Sequence, residues 1–373
     1  MKPFVKWPGG KQEEYKRINQ YFPSRIDKYI EPFVGGGAVY LSINNCSKYY
    51  INDKSEELIY LYEYIKAGNE EFFDKLQDIF YNWRLVETIV DRHKNELSNN
   101  YLEFSNNNIN DIGWSNFILE FVFRNNEEFN GILESTFNID IKHFIDELNK
   151  TIFQKTKRMK KLEAEKGKLE NIDIIKNLET AFKSSYYTHF RFLYNNHVEY
   201  KLSNEFRIAL FYFIREYCYS SMFRYNKQGE FNVPYGGISY NRKNIESKIW
   251  GMQNKELIKR LQDTKICSLD FEKFLDKIEL YESDFIFLDP PYDSEFSTYS
   301  NNTFDKCDQK RLADYLEKTK AKFMLVIKNT EYICSLYQKE GFYIKSFDKK
   351  YLVSFQNRNK KEVEHLIITN YEI

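Results

Sequence analysis

The sequence predicts an α/β fold: a mostly parallel, doubly wound sheet interrupted by one mainly helical insertion. Three observations carry this. Short apolar runs alternate with helical patterns near both ends of the chain. Two of those runs stop at loops suited to close contact with a ligand, Glu31-Pro32-Phe33-Val34-Gly35-Gly36-Gly37 and Asp289-Pro290-Pro291-Tyr292. Between them, over residues 67–243, the pattern changes to long helical periodicity.

The elements follow in order. Lys28 to Pro32 is the first strand, and the glycines after it open a helical stretch from Ala38 to Asn44. Lys48 to Ile51 is a second strand ending at Asn52-Asp53, followed by a helix from Ser55 to Ile65. After the insertion, Ile266 to Leu269 and Asp284 to Leu288 are strands, the second buried. Gln309 to Lys320 is a helix, Phe323 to Ile327 a strand, and Glu331 to Glu340 a helix stopped by Gly341. Tyr343 to Phe347 and Val363 to Thr369 close the sheet. The domains are therefore residues 1–66 and 244–373, forming the sheet, with 67–243 inserted. Within the insertion, residues 69–150 and 170–217 read as helical, with Asn-rich punctuation at Ser98 to Asn110. Gly229, Pro234 and Gly236-Gly237 then break the chain into a hairpin-like segment.

Composition narrows the function classes. A length of 373 residues, 42% hydrophobic, suffices for one large domain or two ordinary ones. Basic and acidic residues balance at 55 each, which excludes a wholly basic binder but permits a basic face offset by acidic ones. The five cysteines lie far apart with no CxxC pair, so neither a disulfide framework nor a zinc site is expected, and a reducing cytoplasm fits. The N-terminus has no apolar signal core and no stretch approaches the length of a membrane span. No HExxH and no calcium-type Asp/Asn ladder occurs, so no metal is expected.

Three motifs carry chemistry. A strand ending in glycines lets backbone approach a ligand closely, and a helix N-terminus behind it favours a negative group. Asp53 stands at the end of the next strand, where an acidic residue grips ribose hydroxyls in doubly wound nucleotide-binding folds. The glycine spacing is not GxGxxG, so a nicotinamide pyrophosphate is poorly served; alone, the loop could equally be a tight strand-to-helix turn. In Asp289-Pro290-Pro291-Tyr292, the prolines remove two donors and stiffen the loop. The Pro290 carbonyl and the Asp289 carboxylate are then two acceptors aimed at one point, which suits a planar amino group with two hydrogens. Tyr292 offers a ring face for stacking, worth about 1–3 kcal/mol per base, comparable to the cost of unstacking one. The competing reading is a strand-ending turn with a core tyrosine. In Lys6-Trp7-Pro8-Gly9-Gly10-Lys11, a lysine near paired glycines can reach a carboxylate and a tryptophan can lie on a base, although by itself the segment reads as an ordinary turn.

Together and in this order, these residues resemble the alpha group of DNA amino-methyltransferases, the Dam-type adenine-N6 enzymes. Phe33 to Gly37 resembles the family's FxGxG cofactor loop, Asp289 to Tyr292 its DPPY, and KWPGGK the motif that precedes the cofactor loop. Arg224-Tyr225-Asn226 and Gly229 to Gly236 resemble its DNA-contacting hairpin, and Asp270 in Ser-Leu-Asp-Phe-Glu its acidic residue near the cofactor's adenine. Lys361 to Asn370 resembles its closing strand. The resemblance covers roughly the first 65 and last 160 residues. It departs from the family at Ser220-Ser221, where Asn-Gly is usual, and at Gly237, where many GATC enzymes carry Arg.

The resemblance implies a Rossmann-like S-adenosylmethionine-dependent methyltransferase sheet whose inserted domain recognises the target. Trp7, Gly10 and Lys11 would hold the methionine part of the donor; Glu31, Gly35 and Gly37 belong to the cofactor loop. Phe33 would pack beside the methyl group, Asp53 would bind the ribose and Asp270 the adenine amino group. Asp289, Pro290, Pro291 and Tyr292 would form the catalytic loop around a flipped adenine in double-stranded DNA. Arg224 would read a base edge, with guanine the natural partner of a forked guanidinium. Tyr219 is a candidate wedge, and Asn226, Asn232 and Pro234 would complete the DNA contact. A monomer is expected, either solitary or partnered by a restriction endonuclease acting on the same site.

Two further stretches admit two readings each. The basic run Lys155 to Lys161 could touch phosphates, or be a solvated helix face balanced by Glu163 and Glu165. The aromatic cluster from Tyr186-Tyr187 to Tyr194 reads as core in preference to a stacking platform. Rival functions also remain at this level: methylation of an RNA or protein amide, N4-cytosine methylation, or a DNA-binding module without catalysis.

Overall fold

The computed structural model describes residues 1–44, 46–133, 139–291, 304–350 and 362–373. It divides into two compact units. One comprises Met1–Gly68, Phe223–Tyr225 and Ser247–Ile373; the other Asn69–Met222 and Asn226–Glu246.

Among the described residues of the first unit, seven strands form one sheet: β1 (Lys28–Glu31), β2 (Lys48–Asn52), β3 (Thr264–Cys267), β4 (Phe285–Leu288), β5 (Lys322–Lys328), β6 (Tyr343–Lys350) and β7 (Glu362–Thr369). Their order is β3-β2-β1-β4-β5-β7-β6. The first five are parallel, and β7 inserts antiparallel between β5 and β6. This is the mostly parallel α/β sheet that the sequence anticipated. Strands buried on both faces need apolar residues at every position, and Phe285-Ile286-Phe287-Leu288 supplies them. One face buries Ile30, Ile286, Leu288, Phe323, Leu325 and Leu366 against the helices Phe271–Leu275, Lys306–Lys318 and Glu331–Tyr337.

Strand order reverses between β1 and β4. The chain leaves β1 toward β2 on one side, and leaves β4 toward β5 on the other, so a crevice opens at their carboxyl ends. A buried carboxylate starts this pair. Asp284 accepts from the Lys28 backbone N–H at 3.2 Å, from the Tyr281 N–H at 2.9 Å and from Lys28 Nζ at 3.2 Å.

Two expected elements differ. No α-helix follows the glycine loop; Ala38 to Asn44 contains only the 3₁₀ turn Tyr40–Ser42, with extended backbone resuming at Ile43. Ala38, Val39, Tyr40, Leu41 and Ile43 are all buried, packed into the core through this short turn and the extended backbone after it. The favourable helix terminus expected at that loop is therefore not present. In the insertion, the Asn-rich stretch Ser98 to Asn110 breaks helix only in its last part: Lys94–Ser105 is helical, and the next helix starts at Asp111. The Leu97, Tyr101 and Phe104 stripe at i, i+4, i+7 outweighs the low helix propensity of asparagine.

The second unit is helical, built chiefly of Glu70–Arg92, Asp111–Arg124, Ile141–Lys166, Asn171–Asn195 and Asn204–Tyr217. The helix Asn171–Asn195 runs through its centre, buried along most of its circumference. Tyr186, Tyr187 and Tyr194 are core, which decides between their two readings. The basic run lies on Ile141–Lys166, where Lys157 pairs with Asp111 at 2.5 Å and Lys160 donates to the Phe104 carbonyl at 2.5 Å. Glu163 does not balance it as a solvated charge. That carboxylate is buried and accepts from Tyr101, Ser105 and the Leu169 N–H. Burial raises its pKa, but those hydrogen bonds and the Lys168 charge hold it below the usual range.

Asp284→Ala would leave two N–H groups without their acceptor at the start of β1 and β4, while Lys28 Nζ keeps the Glu279 carbonyl. It is expected to cost about 2–5 kcal/mol in urea unfolding. A loss below about 0.5 kcal/mol would show that water replaces the carboxylate freely.

Candidate active site

The crevice holds a cavity of about 400 Å³ in the first unit, lined from the ends of β1, β2 and β4, from the loop after β3 and from the N-terminal segment. Trp7, Gly10, Lys11, Glu31, Phe33, Gly35, Asp53, Asp270, Asp289, Pro290 and Pro291 all line it. Gly37 lies just behind, and Tyr292 falls outside the described residues.

The clamp that gathers these loops is Asn52, which is buried. Its amide donates to the Pro32 carbonyl after β1 and to the Leu269 carbonyl after β3, both at 3.0 Å, and its oxygen accepts from the Leu269 N–H at 2.8 Å. Asp53 beside it accepts from the Gly35 N–H at 3.0 Å and the Ser55 N–H at 2.9 Å. So the donor that a helix terminus might have offered to a ligand is turned onto a carboxylate. Burial pushes the Asp53 pKa up to about 6, against these hydrogen bonds.

The glycines answer to close packing as well as to backbone conformation. Gly35 and Gly37 have φ of +49° and +72°, and a Cβ on Gly35 would meet the Trp7 ring at 2.7 Å. A Cβ on Gly37 would collide with the Tyr62 hydroxyl. Trp7 itself packs edge-on against Phe223 at 4.7 Å between centroids.

Glu31 is buried and accepts from the Tyr29 hydroxyl at 2.7 Å. Burial lifts its pKa well above the carboxylate range; the Tyr29 bond opposes this, while Asp289 and Asp53 add to it. Lys11, almost wholly buried, reaches from the N-terminal motif to Asp289 Oδ1 at 2.6 Å, with the Gly9 carbonyl at 3.3 Å and Glu14 at 3.7 Å. The carbonyl of Pro291 accepts from Gln309 Nε2 at 3.1 Å, which ties the loop after β4 to the helix Lys306–Lys318. At the other end of the cavity Phe33, Phe271 and Phe304 form a cluster with centroid spacings of 5.4–5.7 Å, next to Asp270.

The hairpin residues fall in two places. Arg224, exposed, belongs to the first unit with Phe223 and Tyr225. Tyr219, Asn226, Asn232 and Pro234 belong to the second. There the helix Asn171–Asn195 carries Tyr187, Arg191 and Asn195 at i, i+4, i+8. Tyr187 and Arg191 each donate to the Val233 carbonyl at 2.9 Å, and Asn195 exchanges two hydrogen bonds with the Phe231 backbone. Phe231, Val233 and Tyr235 are thereby buried, and the alternate residues Asn232 and Pro234 face outward. Asn226 serves its own turn: its side chain accepts from the N–H groups of Gln228 and Glu230 and donates to the Glu230 carboxylate. Tyr219 is 43% exposed, and the turn beside it is held from below by buried Arg215, which donates to the Ser221 and Met222 carbonyls. Ser220 and Ser221 have φ of +51° and +52°. This is the conformation Asn-Gly adopts most easily, so the chain keeps a left-handed turn while lacking the residues that suit it.

Sequence reasoning missed Asn52, Gln309 and Arg311, and the Tyr187-Arg191-Asn195 stripe. The stripe could have been found by its four-residue spacing; a buried amide clamp leaves no periodic trace.

A family model described as D12 class N6 adenine-specific DNA methyltransferase matches residues 7–168 and 165–353. The chain is 28% identical over 377 residues to the Type II methyltransferase M.CviBI of Paramecium bursaria Chlorella virus NC1A, covering all of both proteins. It is 30% identical over 387 residues to the Type II methyltransferase M.MjaIII of Methanocaldococcus jannaschii, covering 100% of this chain and 99% of that one. A DNA adenine methylase of Haemophilus influenzae is 38% identical over 80 residues, 21% of this chain and 28% of that protein.

The double change Ser220→Asn with Ser221→Gly is expected to raise stability by about 1–2 kcal/mol in thermal or urea unfolding, by relieving two left-handed serines. No gain would mean that the turn carries no strain.

Proposed function

Because the chain belongs to the D12 class N6 adenine-specific DNA methyltransferase family, we propose that its cavity holds S-adenosylmethionine beside an adenine flipped from double-stranded DNA. The observation that carries this is the convergence of the glycine loop, Asp53, Asp270 and Asp289 on one cavity. The donor set fits such a ligand: carboxylates at Asp53 and Asp270 suit a ribose diol and a purine amino group, and the three phenylalanine rings suit a purine face. Trp7, Gly10 and Lys11 would hold the methionine part. Bound there, the donor supplies an electrophilic methyl group on sulfur.

The chain's own residues do the rest by position and polarity. Asp289 and the Pro290 carbonyl accept the two N6 hydrogens, which turns the nitrogen lone pair out of the base plane. The amino group competes with Lys11 Nζ for Asp289 Oδ1, the oxygen that the ammonium holds at 2.6 Å. After transfer the surplus N6 proton leaves to solvent, so no histidine is needed. Tyr292 would stack on the base. Arg224 would read a base edge, while Tyr219 fills the gap in the stack and Asn226, Asn232 and Pro234 follow the duplex. The helical unit serves target recognition in this reading, as the scaffold that holds the hairpin. Full-length likeness to proteins named Type II methyltransferases supports a partner endonuclease acting on the same site. Among the described residues no helix is long and apolar enough to cross a membrane.

The test is expression in a methylation-free host followed by genome-wide mapping of modified bases. N6-methyladenine in one sequence context is expected. Asp289→Ala should lower the transfer rate at least about 100-fold while DNA affinity stays within about threefold. Label entering RNA or polypeptide but never duplex DNA would overturn the reading, and full activity in Asp289→Ala would remove that carboxylate from the mechanism.

The raised Asp53 pKa gives a pH signature. Its ionised form accepts ribose hydroxyls best, so affinity for S-adenosylhomocysteine should be constant above neutrality and weaken as pH falls through about 6. Calorimetry should show the loss approach about tenfold per pH unit below that point, with Asp53→Asn removing the inflection. A flat profile in the wild type would separate Asp53 from the ligand.

A further inference from the structure

Arg311 lies on the helix Lys306–Lys318 and spends its whole guanidinium on three carboxylates. Nη2 donates to Asp270 Oδ1 at 2.7 Å and to Glu272 Oε2 at 2.7 Å. Nε donates to Glu272 Oε2 at 3.0 Å, and Nη1 to Asp308 Oδ1 at 2.7 Å and Asp270 Oδ2 at 3.4 Å. The guanidinium carbon also sits 4.9 Å from the centre of the Phe271 ring, one wall of the cavity. With five N–H donors in a rigid fork, few other arrangements are open to it.

Asp270 is the only one of the three carboxylates at the end of the loop from β3, and it lines the cavity beside Phe33 and Phe271. It is immobilised twice, because Oδ1 also accepts from the Glu272 N–H at 3.2 Å as the cap of the helix Phe271–Leu275. Oδ1 therefore has its acceptor capacity taken up. The Lys273 N–H also bonds this carboxylate; Oδ2, whose contact with Nη1 is long, still has a lone pair to offer a ligand. Burial raises the Asp270 pKa, but the Arg311 hydrogen bonds and charge outweigh it and hold the group below the usual range.

We propose that Arg311 is a positioning residue for the methyl donor, fixing the Asp270 carboxylate so that Oδ2 receives an exocyclic amino group of the purine and an oxo purine is rejected. This rests on the reading of the cavity as an S-adenosylmethionine site. A carboxylate free to rotate would turn either oxygen to water and lose the distinction. A lysine in place of Arg311 offers a point charge without the fork and restores the geometry only in part.

The experiment compares S-adenosylhomocysteine with S-inosylhomocysteine, which differs by an oxo group where adenine carries its amino group. Binding to the purified full chain is followed by calorimetry, alongside KM and kcat on duplex DNA. The wild type is expected to prefer the adenosyl ligand about 10- to 100-fold, the range of a hydrogen bond to a charged acceptor. Arg311→Met should reduce that preference to under about threefold and raise KM for the donor about tenfold, while kcat at saturating donor changes less than about threefold. Arg311→Lys should fall between. Asp270→Asn should also lose the preference, and the double variant should lose nothing more. Preference kept in Arg311→Met or Arg311→Lys, but lost in Asp270→Asn, overturns the positioning role. Preference kept in Asp270→Asn overturns Asp270 as the purine acceptor, and the proposal with it. Failure of the wild type to bind either ligand would instead refute the donor site itself.

Discussion

The site depends on the pairing of β1 with β4, whose starting residues Lys28 and Asp284 lie 256 positions apart in the chain. Where two parallel strands send their following loops in opposite directions, their carboxyl ends cannot be roofed by either loop. That vacancy is why the glycine loop and Asp289 face a common space. The contact is laid down from the far end of the strands, by one buried carboxylate that collects two N–H groups and an ammonium. The cavity lies at the other end, a strand's length away, where a ligand meets the Lys11–Asp289 ion pair and leaves the bonds that start the two strands untouched.

Electrostatics inside the cavity follow from an excess of carboxylates. Glu31, Asp53, Asp270, Asp289 and Asp308 all line it, against the ammonium groups of Lys11, Lys54 and Lys328. The protein treats each acid differently. Glu31 is buried with a tyrosine hydroxyl, and that burial lifts its pKa well above the carboxylate range. Asp53 is tied by backbone N–H groups, and burial lifts its pKa to about 6. Asp270 is held charged by a guanidinium, and Asp289 is paired with Lys11. Dispersing the acids among distinct partners avoids the cost of several unpaired charges in one dry space. In the proposed function the first four then differ in role as they differ in surroundings. Glu31 anchors the loop, Asp53 takes the diol, Asp270 the purine of the donor and Asp289 the amino group of the target.

The helical unit shows how an insertion can govern a short loop without supplying its chemistry. One helix face, spaced by four residues, grips a stretch of chain that would otherwise be an unpaired strand. Gripping alternate carbonyls buries alternate side chains, and Asn232 and Pro234 are turned outward as a consequence. The buried Arg215 does the same for the turn after Tyr219, and its two hydrogen bonds hold the left-handed serines in place against their intrinsic preference.

By itself the sequence determined the sheet elements, the helical insertion and the family, because apolar periodicity and short motifs are local properties of the chain. It also named many of the cavity's residues, because those outside the N-terminal segment stand at strand ends marked by Gly, Pro or Asp. It overstated the helix after the glycine loop, where the buried chain makes only one 3₁₀ turn, and it left open a surface role for Glu163 because a single acidic letter does not reveal its depth. Only the tertiary structure decided that Lys11 meets Asp289, that Asn52 ties the loop after β1 to the loop after β3, and that Arg311 restrains Asp270. Those bonds join residues from separate elements, and their partners are set by strand order and burial, which no local pattern encodes.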